Sequence, residues 1–215
     1  MTTTTRCSFL AFAVAASALL SGTASAGLIE IGFTGLNISY DGSAISTTGG
    51  IDPLTSVSIT NDSVAVAGSP FGSDIDITLS IPGVTGIATT GGTVGTVGSG
   101  SLLLGLPGAD GLSLLLDPAS ITFVNVASTV QFAFGGTVAA ISSQSLPGGI
   151  VIGDPVSVTF ATSVVPGTLT EIGGTVTGFR ATGTGEIEAQ MVPEPATAVL
   201  LAVGVAAVGL RRRRR

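Results

Sequence analysis

Residues 73–81 read Ser-Asp-Ile-Asp-Ile-Thr-Leu-Ser-Ile, so apolar residues occupy every second position from Ile75 onward. Aspartate, threonine and serine fill the positions between them. In an extended chain successive side chains point to opposite faces, so this alternation places the apolar ones on a single face. The stretch therefore predicts a β-strand with one face in a core and the other in water.

Four further stretches show the same alternation, at 28–33, 57–59, 130–134 and 156–160. No stretch between residues 27 and 192 shows the spacing of three to four residues that an amphipathic helix needs. Residues 112–116 are apolar except for Ser113, which favours a more deeply buried central strand. This part of the chain is therefore predicted to consist of strands.

A proline followed by a glycine interrupts the apolar pattern at four places: Pro82-Gly83, Pro107-Gly108, Pro147-Gly148 and Pro166-Gly167. The pair fits a type II turn, because proline fixes the first φ near −60° and glycine accepts the positive φ that follows. Such reversals join neighbouring strands in antiparallel order. The fold class predicted is a single all-β domain at 27–192, an antiparallel β-sandwich or jelly roll.

Charge restricts the partners of this domain. Residues 27–192 contain one arginine and twelve acidic residues, a net charge of −11, and the chain has neither lysine nor histidine. Such a surface repels phosphate groups, so we expect no binding to nucleic acid and none to anionic membrane surfaces. Divalent cations and basic groups on a polymer are the partners that its charge favours.

The residue types that are missing exclude most enzyme mechanisms. There is no histidine or lysine, and the single cysteine, Cys7, lies near the N-terminus. A Ser-His-Asp triad, a thiolate nucleophile, a Schiff base and a zinc site of cysteine or histidine are thus excluded. Carboxylate chemistry remains, and Glu171, Glu186 and Glu188 are the candidates for a polysaccharide hydrolase. We expect them to be solvated surface acids, with no catalytic residue and no enzyme activity.

Calcium is the cation whose preference for oxygen ligands this composition fits. Three pairs of aspartates are candidates for loop sites: Asp74 with Asp76, Asp110 with Asp117, and Asp41 with Asp52. No calcium-binding loop motif is present, and isolated aspartates in turns usually hydrogen-bond backbone groups. We therefore expect no cofactor and no built metal site, and keep a calcium-dependent adhesion module as an alternative.

Residues 1–26 have the organisation of a secretory signal peptide. Arg6 supplies the positive charge, residues 9–20 are apolar, and Ala24 and Ala26 provide the small residues before a cleavage site. Cleavage would leave Gly27 as the first residue of the mature chain and would remove Cys7. An uncleaved first helix is the alternative.

Residues 192–215 have three parts. Pro193, Glu194 and Pro195 form an extended segment, because prolines prevent a helix from continuing. Residues 196–210 are apolar and, as a helix, would be about 22 Å long, which is short for a membrane span. Five arginines follow and stop translocation on the cytoplasmic side: Arg211, Arg212, Arg213, Arg214 and Arg215. An ordinary C-terminal membrane anchor is one interpretation.

The order Pro-Glu-Pro, short apolar segment and basic end also resembles the PEP-CTERM sorting signal of Gram-negative bacteria. The resemblance covers only this tail. It implies recognition of Pro193, Glu194 and Pro195 by an exosortase, a membrane-embedded transpeptidase, and removal of the helix and the arginines. It also implies association with exopolysaccharide and biofilm.

Together these features predict an exported, non-catalytic protein with a signal peptide at 1–26, a β domain at 27–192 and a sorting segment at 193–215. The precursor would be anchored in the inner membrane, and the processed protein would reach the cell surface or the extracellular matrix. A carboxylate-dependent hydrolase and a calcium-dependent adhesion module are the alternatives.

Overall fold

Alternating apolar and polar residues produce strands along most of the chain whose structure is described. The structure, a computed structural model, describes residues 27–118, 120–126 and 129–191. These belong to one compact unit, Gly27–Val192. The fourteen strands of the described residues are β1 Leu28–Tyr40, β2 Ala44–Thr47, β3 Asp52–Pro53, β4 Ser56–Asn61, β5 Val64–Ala65, β6 Asp76–Pro82, β7 Gly92–Gly95, β8 Gly100–Gly105, β9 Gly111–Leu116, β10 Ser120–Val126, β11 Thr129–Ser145, β12 Ile152–Val164, β13 Thr170–Ile172 and β14 Thr175–Met191.

Eight of these strands form a closed antiparallel sheet. They pair in the order β1, β2, β6, β8, β9, β11, β12 and β14, and β14 pairs back with β1 along twelve residue pairs from Leu28 with Gln190 to Tyr40 with Phe179. The all-β prediction is confirmed. The prediction of a sandwich or jelly roll of two sheets is wrong, because the first and last strands hydrogen-bond to each other and leave one continuous sheet.

The remaining six strands pair with edges of strands in this closed sheet or with one another. The first half of β1 pairs with β4, which in turn pairs with β5. The first half of β11 pairs with β10, which pairs with β7. Strands β3 and β13 add short pairings to β6 and β14. The long strands β1 and β11 therefore each change partner on one edge halfway along their length.

The inward face of each strand forms the core. Ile29, Ile31 and Phe33 of β1 are at most 1% exposed, and the residues between them reach solvent. The expectation for β9 is wrong in one respect, since Leu115 points outward and is 43% exposed between buried neighbours. Its strand is half-buried like the others. The predicted burial at 130–134 concerns side chains outside those described.

A glycine makes room for two aromatic rings in this core. Gly185 of β14 lies between Phe33 of β1 and Phe160 of β12 in the strand register. The two rings meet edge to face, with centroids 6.0 Å apart. A Cβ on Gly185 would lie 2.2 Å from the Phe33 ring and 2.8 Å from the Phe160 ring. The absent side chain therefore allows the aromatic pair to form across the intervening strand.

The glycines of the four Pro-Gly pairs adopt the positive φ that the sequence predicts. Gly83, Gly108, Gly148 and Gly167 all have positive φ, between 69° and 81°. Gly108 has φ 81° and ψ 17°, close to the third position of a type II turn. The turns after Leu106 and Leu146 reverse the chain between β8 and β9 and between β11 and β12.

The two ends of the domain lie side by side. The backbone amide of Met191 donates a hydrogen bond to the carbonyl of Gly27, at 2.7 Å. Gly27 and Met191, the first and last described residues, are therefore neighbours. No helix among residues 27–118, 120–126 and 129–191 is long and apolar enough to cross a membrane, and the helix predicted at 196–210 lies outside these residues.

Candidate functional site

A trough of about 560 Å³ crosses the outer face of four neighbouring strands, β4, β1, β14 and β12. Its polar side chains are hydroxyl groups and one carboxylate, from Thr34, Ser56, Ser58, Thr159, Thr184 and Glu186. Neighbouring strands are about 4.8 Å apart, so the four strands span about 14 Å. Phe33, Phe160 and Ala161 also line the trough. It is therefore a shallow surface of mixed character, with hydroxyl groups and one carboxylate beside apolar atoms.

Strand register orders these side chains in rows across the sheet. Ser58, Gly32, Glu186 and Thr159 form one row, each residue paired with the next across a strand boundary. Because Gly32 has no side chain, the residue that pairs with Glu186 on β1 does not cover its carboxylate. The carboxylate is therefore accessible from the trough.

The row on one side of Glu186 contains three hydroxyl groups and one alanine. Ser56 pairs with Thr34, Thr34 with Thr184, and Thr184 with Ala161. The largest outward side chain in this row is threonine. These small residues leave the volume of the trough open.

The row on the other side brings two acids face to face. Glu30 of β1 pairs directly with Glu188 of β14, and the Thr60 hydroxyl donates a hydrogen bond of 3.1 Å to the Glu30 carboxylate. Residues directly opposite in an antiparallel pair have Cβ atoms about 5 Å apart. With Glu186, the outer face of β1 and β14 therefore carries three carboxylates.

Two of the three candidate acids share a face, as the alternation around Ile187 predicts. Ile187 is fully buried, and Glu186 and Glu188 are exposed on the opposite face of β14. Glu171 lies on β13 and pairs with Val176, ten residues from Glu186 along β14. At about 3.4 Å per residue this separation is near 34 Å, so Glu171 does not contribute to the trough.

Glu30 is an acidic residue of this surface that was not among the candidate acids. It alternates with Ile29 and Ile31 in the sequence, and this places its side chain outward. Its position opposite Glu188 depends on pairing between residues more than 150 positions apart, which no local pattern contains.

The aspartates proposed for calcium form local hydrogen bonds. The Asp41 carboxylate accepts hydrogen bonds from the Ser43 amide, the Ser43 hydroxyl and the Ala44 amide, each 2.8 Å long. The two backbone amides and the hydroxyl, in that order of effect, hold the pKa of Asp41 below its ordinary 3.8. Asp41 therefore fixes the turn between β1 and β2.

Asp52 is buried and belongs to a different local network. It is 4% exposed, and its carboxylate accepts the Asn37 amide at 2.6 Å and the Asn37 side-chain NH₂ at 3.1 Å. These two hydrogen bonds join β3 to β1, whose backbones do not pair directly. The two aspartates each have their own partners and form no joint site in the structure.

Three of the other candidate aspartates also have local partners. Asp110 accepts a hydrogen bond from the Ser145 hydroxyl at 2.7 Å, and Asp117 accepts one from Thr137 at 2.8 Å. The carboxylate of Asp76 lies over Gly105 of the neighbouring strand. Within the described ranges, no three acidic side chains come together as metal ligands would. The expectation of no cofactor stays a prediction, and a calcium-dependent module stays its alternative.

The residues predicted for sorting and signal cleavage lie outside the described part of the chain, apart from Gly27. These are Ala24 and Ala26, the motif Pro193, Glu194 and Pro195, and the arginines from Arg211 to Arg215. Their individual roles stay predictions. Gly27 is where the chain enters β1, beside the end of β14.

The fold and its surface define an all-β protein with a closed sheet and an acidic, hydroxyl-rich outer face. Comparison with known families identifies the tail: residues 192–215 match the PEP-CTERM protein-sorting motif. No curated protein and no solved structure matches the chain. The resemblance of the tail is thus confirmed, and the chain is an exported protein that an exosortase processes.

This match also fixes the broad location of the protein. It is anchored in the membrane before processing and is then found at the cell surface. Proteins with this tail are generally transported cargo and not enzymes. The processing enzyme is accordingly the partner that the comparison supports.

Proposed function

We propose that this chain is a non-catalytic component of the cell surface or extracellular matrix that associates with exopolysaccharide. The sorting motif at 192–215 carries this proposal, because it makes the β domain the cargo that is delivered. The domain has an acidic outer face lined with hydroxyl groups, which suits contact with a hydrated polymer. Its described aspartates mostly serve turns and strand junctions.

In this proposal the two terminal segments act in sequence. The leader is removed after Ala26, so that the mature chain begins at Gly27. The apolar segment 196–210 and the arginines then hold the precursor in the inner membrane with the domain outside. Processing near Pro193, Glu194 and Pro195 releases the domain from this anchor.

The test is intact-mass spectrometry of the protein recovered from the surface and medium of its native host. Wild-type chains are expected to lack residues 1–26 and the residues that follow the Pro-Glu-Pro segment. Glu194→Ala is expected to retain the tail, because the charge of the recognition motif is removed. Glu171→Ala removes one exposed carboxylate of the β domain and should be processed like the wild type.

Two results would contradict the proposal. If wild type and Glu194→Ala both end at Arg215, the tail acts as a plain membrane anchor. If the processed wild-type protein is found only in the medium and never with exopolysaccharide, the matrix function is wrong even though sorting is correct.

A carboxylate-dependent hydrolase is a second candidate, and one observation favours it. Glu30 and Glu188 come from different strands and are directly paired, which puts two acids side by side as a glycosidase requires. They lie beyond the lining of the trough, on the open outer face. Release of reducing sugar from host exopolysaccharide by wild type, and not by Glu188→Gln, would establish this activity.

A further inference from the structure

We propose that the trough across β4, β1, β14 and β12 binds an oligosaccharide that carries amino groups. This inference rests on the proposed association with exopolysaccharide and specifies the sugar and the surface. The trough has about 560 Å³ of open volume and spans about 14 Å across four strands, which is enough for several sugar rings in a row.

The hydroxyl groups of the trough match a sugar in hydrogen-bonding capacity. Thr34, Ser56, Thr159 and Thr184 each offer one donor and two acceptor lone pairs. The Ser58 hydroxyl donates to the Gly32 carbonyl at 3.3 Å and offers its lone pairs as acceptors. They lie on neighbouring strands in fixed register, so their spacing is set by the sheet. A polyhydroxylated ligand therefore meets donors and acceptors in a rigid array, which limits the entropy lost on binding.

Glu186 selects the charge of the ligand. Its carboxylate lines the trough beside Gly32 and is the one charged group in the lining. Arg180 is the sole basic residue between 27 and 192, and it lies six residues away on β14, about 20 Å along the strand. The carboxylate therefore has no described cation nearby, and a ligand ammonium group would supply one.

The net charge of the whole domain also favours a ligand that carries amino groups. A net charge of −11 over residues 27–192 repels uronic acids and attracts a polymer that carries amines. A neutral sugar gains the hydroxyl contacts but not the charge-assisted bond to Glu186. The expected order of affinity is therefore amino sugar, then neutral sugar, then uronic acid.

The test measures binding of three hexasaccharides, of glucosamine, glucose and galacturonate, to the full-length protein in detergent micelles by isothermal titration calorimetry. Thr184→Trp fills the trough from an exposed position, and we expect it to weaken binding of the glucosamine oligomer at least tenfold. Thr182→Trp adds the same side chain at the next outward position of β14, outside the lining, and should bind like wild type.

Glu186→Gln tests how much the charge of this side chain, apart from its shape, contributes to binding. It keeps the size of the side chain and removes the charge, so binding of the glucosamine oligomer should weaken about tenfold. Binding of the glucose oligomer should change little. Circular dichroism spectra of all variants must match wild type, because each substitution lies on the outer face.

If Thr184→Trp and Thr182→Trp bind the glucosamine oligomer equally, the trough is not the binding site. Galacturonate binding as tight as glucosamine binding, or no effect of Glu186→Gln, would overturn the preference for amines. These results are distinct from failure of the proposed function. If Thr184→Trp is sorted and retained in the matrix as well as wild type, only the trough inference falls.

Discussion

At the scale of single residues, Tyr40 shows how the end of β1 is fixed in the core. Its ring packs on Phe179 with centroids 5.2 Å apart, and its hydroxyl donates a hydrogen bond of 3.0 Å to the Val84 carbonyl. Burial raises the pKa of Tyr40 above its ordinary 10.0, and the charge of Asp41 raises it further. The neutral phenol is therefore the form that the folded state stabilises.

Because of this raised pKa, the free energy of unfolding changes with pH in the alkaline range. A group whose pKa is higher in the folded state stabilises fully below its unfolded pKa, and this contribution is lost as pH rises through the folded pKa. Wild type should therefore lose stability above about pH 10. Tyr40→Phe should cost about 1–2 kcal/mol at neutral pH, because the Val84 carbonyl loses its partner.

Denaturant unfolding of both proteins from neutral pH to above pH 10 checks this prediction. Residues 27–192 contain one tyrosine and no lysine or cysteine, so Tyr40 is the side chain of the domain that titrates there. The difference in unfolding free energy between wild type and Tyr40→Phe should narrow as pH rises. Parallel curves over the whole range would contradict the assignment to Tyr40.

At the scale of elements, the hairpin of β11 and β12 departs from regular pairing near its turn. Backbone pairing between these strands runs from Gln131 with Ser163 to Thr137 with Ser157. Closer to the turn, the side chain of Gln144 replaces a paired residue: its NH₂ donates to the Ile152 carbonyl at 3.0 Å, and its oxygen accepts the Ile152 amide at 2.9 Å. One side chain thus satisfies both backbone groups of Ile152.

Gln144→Ala should therefore destabilise the protein by about 1–3 kcal/mol, because two backbone groups lose their partner. Thermal unfolding followed by circular dichroism measures this loss. Gln190→Ala is the matched control, since Gln190 is exposed on β14, and should change stability by less than about 0.5 kcal/mol. Equal effects of the two substitutions would show that the Gln144 bonds contribute little.

At the scale of the whole molecule, closure of the sheet by β1 and β14 joins the two ends of the domain. The hydrogen bond from the Met191 amide to the Gly27 carbonyl places these two ends next to each other. Closure also hides the backbone edges that the first and last strands would otherwise expose to other chains. The same pairing aligns Glu30 with Glu188 and thereby assembles the acidic part of the outer face.

A circular permutant tests this arrangement. A short glycine-serine linker from Met191 to Gly27, with new ends between Gly49 and Gly50, should keep the closed sheet. Both glycines lie in an exposed turn with open space around them. The melting temperature should stay within about 2–4 °C of the unpermuted domain, equivalent to about 1 kcal/mol.

The control permutant has its new ends between Thr184 and Gly185, inside β14. This break interrupts the strand that closes the sheet, so a cooperative thermal transition should be lost. If both permutants melt alike, the β1 and β14 pairing is not what holds the domain together.

The local properties of this protein follow from its sequence alone. Period-two alternation gave the strands, the Pro-Gly pairs gave the turns, and the composition gave the acidic charge and the missing nucleophiles. The order of residues in 192–215 identified the sorting motif. Each is a property of neighbouring residues or of counts, so no knowledge of distant contacts was needed.

How the strands close, and which side chains share the outer face, depends on contacts between distant parts of the chain. A sandwich and a closed sheet both bury one face of every strand, so alternation does not distinguish them. The choice depends on pairing between the first and last strands, supported by contacts such as Phe33 against Phe160 over Gly185. That pairing joins residues about 150 positions apart, and it creates both the trough and the Glu30 and Glu188 pair.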